Sequence, residues 1–289
     1  MLDAYLIHLL IIICIYIILA VSLNLVIGNT GYLNLSHLAL FGIGAYVSVL
    51  LNMNGVPFIF SFIIAGLAAA FCGFLLILAT KNLKGDYYAL ATLGFSFVMF
   101  SLATNLKITR GPMGIPGIPR PEIFGYVFQS NTSFLILTAA VVFITIFFIY
   151  SLVKSPFGRL VGAMRDDEMN LKVLGKNTNK LKYKVIAISG FFAGIVGSLD
   201  AHYISFINPA LLSIQGLIFV LTIVIIGGIA SIEGSIIAAF ILVLLPEALK
   251  FFSLPTEVLG PVRQIIYALA LILIIMYKPK GLFGRIDLE

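Results

Sequence analysis

Charge is scarce in this 289-residue chain: Asp, Glu, Lys and Arg make up 10% of it, where soluble domains carry about a quarter. Apolar residues reach 61% and the mean hydropathy is +1.13, which excludes an ordinary soluble domain and predicts a polytopic membrane protein. Cysteine is nearly absent. Cys14 and Cys72 each lie in an apolar run, with no Cys-x-x-Cys spacing and no histidine at metal-ligand spacing, so both are read as packing residues. No Lys or Arg precedes Lys81 and no small-residue cleavage site follows the first apolar run, so a cleaved signal peptide is not expected. No G-x-x-x-x-G-K-[ST] phosphate loop occurs, and ATP cannot be cradled by that route. The net charge of +6 sits in short loops between apolar spans, which fits the positive-inside bias and not a nucleic-acid surface.

What charge there is gathers between Ser155 and Lys184, SPFGRLVGAMRDDEMNLKVLGKNTNKLKYK. A stretch this polar cannot lie in hydrocarbon; it meets water or docks on a protein partner. Ser155 and Pro156 suit a helix start, and Gly175 is placed to end one. Leu160, Met164, Leu171 and Leu174 recur as one apolar stripe, interrupted by Asp167, with Arg159, Arg165, Asp166 and Glu168 on the other faces. Periodicity alone favours an amphipathic helix at the membrane surface, with a docking element as the sharper alternative.

The apolar runs are Ala4 to Ile27, Leu38 to Leu51, Pro57 to Thr80, Tyr87 to Asn105, Phe134 to Val153, Lys184 to Phe206, Leu211 to Ile226, Ser235 to Phe252 and Val262 to Tyr277. They predict an all-α transmembrane bundle of about nine spans, within a range of about eight to ten. Small residues recur at four-residue spacing at Ala65, Ala69 and Gly73, at Gly66 and Ala70, and at Gly190, Gly194 and Ser198. With Gly42, Gly44 and Ala45, they predict close helix contacts. His8 is expected at an interface, as are Asp200 and His202 late in their span.

Two glycine-rich stretches interrupt the apolar pattern, Gly28 to Ser36 and Gly227 to Gly234. The first is either a broken helix beside a pathway or a loop before a short span, and the pair hints at two related halves. Asp86 is expected to favour the N-terminal end of its helix. Lys107 to Pro121, with Pro112, Pro116, Pro119 and Pro121, cannot be a helix interior and reads as a rigid extended loop. Its Gly-x-x triplets are too few for a collagen helix. Placing the polar stretch, the Lys81 to Asp86 loop and the tail Lys278 to Arg285 in the cytoplasm puts the N-terminus outside. Lys107, Arg110 and Arg120 then lie outside too, against the rule.

The segments GYLNLSHLALFGIGAYVSVLL, LKGDYYALATLGFS, TRGPMGIPGIP, SPFGRLVGAMRDDEMNLKVLG, LPEALK and KPKGLFG resemble, in order and over nearly the entire chain, the LivM-type permeases of high-affinity branched-chain amino-acid ABC importers. The resemblance implies one transmembrane permease domain over residues 1–289, in a prokaryotic inner membrane, with a cytoplasmic coupling loop at 155–184. Gly158, Arg159, Ala163, Arg165, Asp167, Glu168, Leu174 and Gly175 match that loop, which in the family docks on an ATPase subunit. Met169 and Asn170 replace a usual pair of alanines, and Asp200 stands where the family usually shows an uncharged residue. Gly31, Ser36, Gly44, Ala45, Tyr46, Gly85, Tyr87, Thr92, Gly111 and Gly114 match motifs that shape the translocation path. Implied partners are a second, related permease, two ATPases that bind the ATP, an extracytoplasmic solute-binding protein and membrane lipid. The chain itself is expected to hold no cofactor and catalyse no reaction.

Two alternatives stay open on the residues. Related permeases carry urea, short amides or other amino acids. An ATP-independent channel or a secondary carrier is a different class, and a carrier would hold a carboxylate deep in a span. Asp86, Asp200, Glu233 and Glu247 all fall at expected span ends or turns, which weighs against it. A membrane enzyme is the poorest fit, since no acid–base pair or metal cluster shares a face.

Overall fold

The computed structural model describes residues 2–83, 85–249, 256–278 and 280–284. Its helices are α1 (Leu2–Thr30), α2 (His37–Met53), α3 (Phe58–Thr80), α4 (Gly85–Asn105), α5 (Asn131–Lys154), α6 (Pro156–Asp166), α7 (Glu168–Val173), α8 (Thr178–Ile204), α9 (Ile214–Gly227), α10 (Ile232–Leu249) and α11 (Thr256–Tyr277). Among the described residues, six are long and apolar enough to cross a membrane: α1, α3, α4, α5, α8 and, from Gly260, α11. The apolar helices α2 and α9 have 17 and 14 residues, and α10 carries Pro246 inside it. Each expected span therefore coincides with one helix, although Lys250 to Phe252 of the eighth lie outside the described residues. α8 begins at Thr178, so the last residues of the polar stretch are its first turns.

α8 is the axis, and its small residues explain why. A Cβ at Gly44 on α2 would lie 2.2 Å from the Gly194 Cα, and one at Gly194 would lie 2.6 Å from the Ala65 carbonyl oxygen on α3. At Gly197 it would come within 2.0 Å of the Phe41 carbonyl oxygen. Hydrocarbon supplies no hydrophobic drive between helices, so backbone approach of this kind and buried hydrogen bonds hold them together. Ser48 and Ser198 hydroxyls pair at 2.6 Å across the same contact. On the opposite side the Ser189 hydroxyl donates to the Ser22 carbonyl of α1 at 2.7 Å, and the buried His37 ring touches both serines, at 3.1 Å and 3.4 Å.

The two ends of the bundle differ. α3 runs antiparallel to α8, with Gly73 near Ile186 and Phe74 on Tyr183, so the Lys81 to Asp86 connection lies at the end that carries the polar stretch. At the other end the proline-rich loop is pinned to the exit of α8. Its strand β1 (Ile115–Pro116) pairs antiparallel with β4 (Phe206–Ile207), while β2 (Glu122–Ile123) and β3 (Tyr126–Val127) form a small hairpin beyond it. Gly114 has φ +69°, and a Cβ there would lie 2.4 Å from the Ile207 carbonyl oxygen, so glycine is required on both counts.

Two expectations are corrected here. Asp200 and His202 do not lie at an exposed interface: they are 6% and 0% exposed, because neighbours surround the end of α8. The His202 Nδ1 hydrogen-bonds the Ser198 carbonyl at 2.9 Å, and its ring meets Phe58 edge-on. His8, by contrast, is exposed near the start of α1, where its Nδ1 pairs with the Tyr203 hydroxyl at 2.6 Å.

Candidate functional site

The polar stretch folds as two short helices with a sharp break, and local chemistry fixes each boundary. The Ser155 hydroxyl accepts from the Gly158 N–H, and Pro156 occupies the first turn of α6, where no N–H is needed. Asp167 ends α6 in an extended conformation and caps α7, accepting from the Met169 and Asn170 N–H groups at 2.8 Å and 2.9 Å. The interruption of the apolar stripe is thus a cap. Gly175, at φ +74°, closes α7, and the Asn177 side chain caps α8.

The matched residues then divide by direction. Glu168 turns inward and collects four partners. Lys172 lies at 2.8 Å, Lys182 at 2.9 Å, and the hydroxyls of Tyr32 and Thr178 each at 3.0 Å. Lys182 is 3% exposed, and its ammonium also stands 4.6 Å from the centre of the Tyr32 ring. Burial by itself would raise the Glu168 carboxyl, but the hydrogen bonds from Lys172 and Lys182, the Lys182 charge and the Tyr32 hydroxyl outweigh it and hold the pKa at about 2. Arg165 also turns inward: its guanidinium donates to the Gly28 carbonyl, and its stem covers Gly31, where a Cβ would meet Arg165 Cγ at 3.2 Å. Gly158 is buried against the end of α5, where a Cβ would lie 2.1 Å from the Val153 carbonyl oxygen.

The remaining matched residues, Arg159, Ala163, Asp167, Leu174 and Gly175, face outward. Leu174 departs from the predicted stripe, because Met164 and Leu171 pack inward while Leu174 is 74% exposed. With Met169 and Val173, 61% and 83% exposed, it makes an apolar knob on the outer side of α7.

The anchor for this stretch is the connection between α1 and α2. Asn34 and Ser36 are fully buried, and Asn34 Oδ1 accepts from both the Ser36 N–H at 3.0 Å and the Ser36 hydroxyl at 2.6 Å. From α4, Thr92 accepts the Leu35 N–H at 3.0 Å and Ser96 donates to the Leu35 carbonyl at 2.8 Å. Irregular backbone inside a membrane protein persists only when shielded and bonded in this way. Of the residues matched to path motifs, Ser36 and Thr92 hold this connection, Gly44 and Ala45 lie in the α2–α8 contact, and Gly111 and Gly114 shape the proline-rich loop. Tyr46 is buried against Ile115 and Ile207, Gly85 opens α4 at φ +52°, and Tyr87 is 74% exposed. None of the ten lines any of the five cavities described.

The second glycine-rich stretch is clasped from α1 by a residue the motifs did not mark. Asn24 Nδ2 donates to the Ser235 hydroxyl at 2.7 Å and to the carbonyls of Ser231 and Gly228 at 3.0 Å and 3.2 Å, while its Oδ1 accepts the Ala230 N–H at 2.9 Å. The tail seals the same turn, with the Leu282 and Phe283 N–H groups donating to the Ile226 and Gly227 carbonyls at 2.8 Å and 3.1 Å. Asn24 and Gly28 stand one turn apart, so the end of α1 joins the polar stretch, the second break and the tail. Asn24, Tyr32 and Lys182 were visible in the sequence only as isolated polar residues.

These features define a multi-pass α-helical membrane protein with a charged surface element buttressed on an interrupted helix pair. The chain belongs to the family described as branched-chain amino acid transport system / permease component, which matches residues 5–277. It is 34% identical over 293 residues to the high-affinity branched-chain amino acid transport system permease protein LivM of Salmonella typhimurium, covering 93% of this chain and 67% of that protein. LivM of Escherichia coli K12 is 35% identical over the same shares. LivH of Escherichia coli K12, a permease protein of the same kind of system, is 24% identical over 291 residues, covering 95% of this chain and 92% of LivH. No solved structure matches the chain.

Proposed function

We propose that this chain is a permease subunit of an ATP-driven importer for branched-chain amino acids in a prokaryotic inner membrane, with its polar stretch and C-terminus in the cytoplasm. It pairs with a second, related permease, receives solute from an extracytoplasmic binding protein, and is driven by two ATPases that hold the nucleotide. The chain needs no cofactor and performs no catalysis of its own. The observation that carries this reading is the division of the polar stretch: an exposed apolar knob, Met169, Val173 and Leu174, stands on a base fixed by Arg165 and Glu168. A rigid mount with a free apolar tip suits transmission of a push from a docked partner to α1 and α8. Likeness to both LivM and LivH supports a paired permease. Arg165 and Glu168 act here as positioning residues, since both side chains turn onto residues of this chain.

The test is uptake of labelled leucine in cells carrying the permease and its partners, with and without the ATPases. Uptake that needs the ATPases and is competed by isoleucine and valine is expected. Replacing Met169, Val173 and Leu174 together by serine is expected to abolish ATPase co-purification and uptake while leaving the thermal midpoint unchanged. Leucine uptake that persists without ATPases would replace the reading with a carrier or channel. Absent leucine uptake would replace branched-chain amino acids with urea, short amides or other amino acids.

A further inference from the structure

Asp200 is the residue that the function so far leaves unused. It lies in the last turns of α8, 6% exposed, with no hydrogen bond or ion pair among the described residues. It lines a cavity of about 260 Å³ between α1, α2, α8 and α9, whose wall includes Tyr16, Leu19, Leu38, Phe41, the α9 cap residue Ser213, whose hydroxyl accepts the Gly216 N–H at 3.4 Å, and Gly216 itself. An ionised carboxyl inside a membrane protein needs a counter-charge, and none of the described residues that line the cavity is basic. The α9 end offers the complementary group. A helix N-terminus presents N–H groups without intrahelical acceptors and the positive end of the dipole, a setting that favours an anion. The rest of the wall is aliphatic and aromatic.

We propose that this cavity binds the transported aliphatic amino acid as a zwitterion, with its ammonium at Asp200, its carboxylate at the start of α9 and its side chain among Leu19, Leu38 and Phe41. The inference rests on the reading of the chain as an amino-acid permease and adds to it a site and a specificity determinant. The cavity lies toward the end of α8 remote from the polar stretch. Its wall shares Ile12, Tyr16 and Gly216 with a larger cavity of about 450 Å³ that also reaches Gln215, Arg263 and Gln264, which gives a polar approach from that side.

The experiment is equilibrium binding of tritiated leucine to the purified permease–ATPase complex without the binding protein. Competitors are 4-methylpentanoate, which lacks the ammonium, and 3-methylbutylamine, which lacks the carboxylate. Asp200→Asn removes a buried charge at constant shape, so the fold is retained. It is expected to weaken leucine and 3-methylbutylamine by about tenfold or more, the scale of a lost charge-assisted hydrogen bond, without weakening 4-methylpentanoate. Gly216→Ala, whose Cβ would lie 2.9 Å from Leu38 Cδ2, narrows the pocket and is expected to shift preference from leucine toward valine. Unchanged discrimination among the three ligands in Asp200→Asn overturns the proposal, as does an equal loss for all three, which would give Asp200 a structural or ion-coupling role. If the complete wild-type system transports leucine while Asp200→Asn discriminates like wild type, only the pocket assignment falls. If the wild-type system transports no branched-chain amino acid, the functional reading fails and takes the pocket with it.

Discussion

Glu168, the first residue of α7, and Lys182, in the second turn of α8, meet at 2.9 Å in a nearly closed environment, with side-chain exposures of 14% and 3%. The pair ties the short surface helix to the first turns of the bundle axis, and Tyr32 extends the tie to the α1–α2 connection. A surface ion pair would contribute little. This one is shielded, so losing one member removes a close opposite charge from a group that stays buried.

Glu168→Ala is therefore expected to destabilise the protein by roughly 2 kcal/mol, chiefly by removing the carboxylate that faces the buried Lys182 ammonium. Glu168→Gln combined with Lys182→Met should recover most of that loss, because both charges are gone. Thermal unfolding in detergent reads both, and a double variant no better than the single one would count against the pairing.

The depressed Glu168 carboxyl makes a pH prediction with a definite sign. Its pKa is about 2 in the folded protein against an ordinary 4.5, so its contribution is complete above about 4.5, declines as pH falls, and is gone below about 2. Hydrogen-exchange protection across residues 168–182, taken relative to the intrinsic rate at each pH, is expected to fall over that window, and Glu168→Gln to remove this part of the pH dependence.

Asn24 makes four hydrogen bonds to the 228–235 turn from inside α1. Asn24→Leu is nearly isosteric but leaves the Ala230 N–H without its acceptor, at a cost of about 1–3 kcal/mol, while the Gly228 and Ser231 carbonyls keep the Ser231 and Ser235 N–H donors. Faster amide exchange at Ala230 and a lowered thermal midpoint are expected, and an unchanged midpoint would contradict the clasp.

Glycines in this chain divide sharply by what surrounds them. Gly44→Ala places a methyl 2.2 Å from the Gly194 backbone and is expected to abolish correctly folded yield. Gly162→Ala on α6 meets nothing within 4 Å and should stabilise by about 0.5–1 kcal/mol. Size-exclusion profiles and melting curves of the two variants provide the comparison.

Composition and apolar run length determined the class of protein and the places of its apolar helices among the described residues, because a bilayer demands length and hydrophobicity before any other property. Local chemistry was equally legible. Ser155, Pro156 and Gly175 sit where the structure uses them, and the small residues at 44, 65, 69, 190 and 194 meet at helix contacts. Direction was not. Helices that are apolar all round carry no stripe to mark an inward face, so the burial of Asp200 and His202 depended on which helices surround the end of α8. The same holds for Glu168 with Tyr32 and Lys182, and for Asn24 with a turn more than two hundred residues away, |i−j| = 204 to 211. Caps and periods are set by neighbours along the chain. Pairings of this kind are set by how rigid helices rotate and cross, and only the tertiary structure decides that.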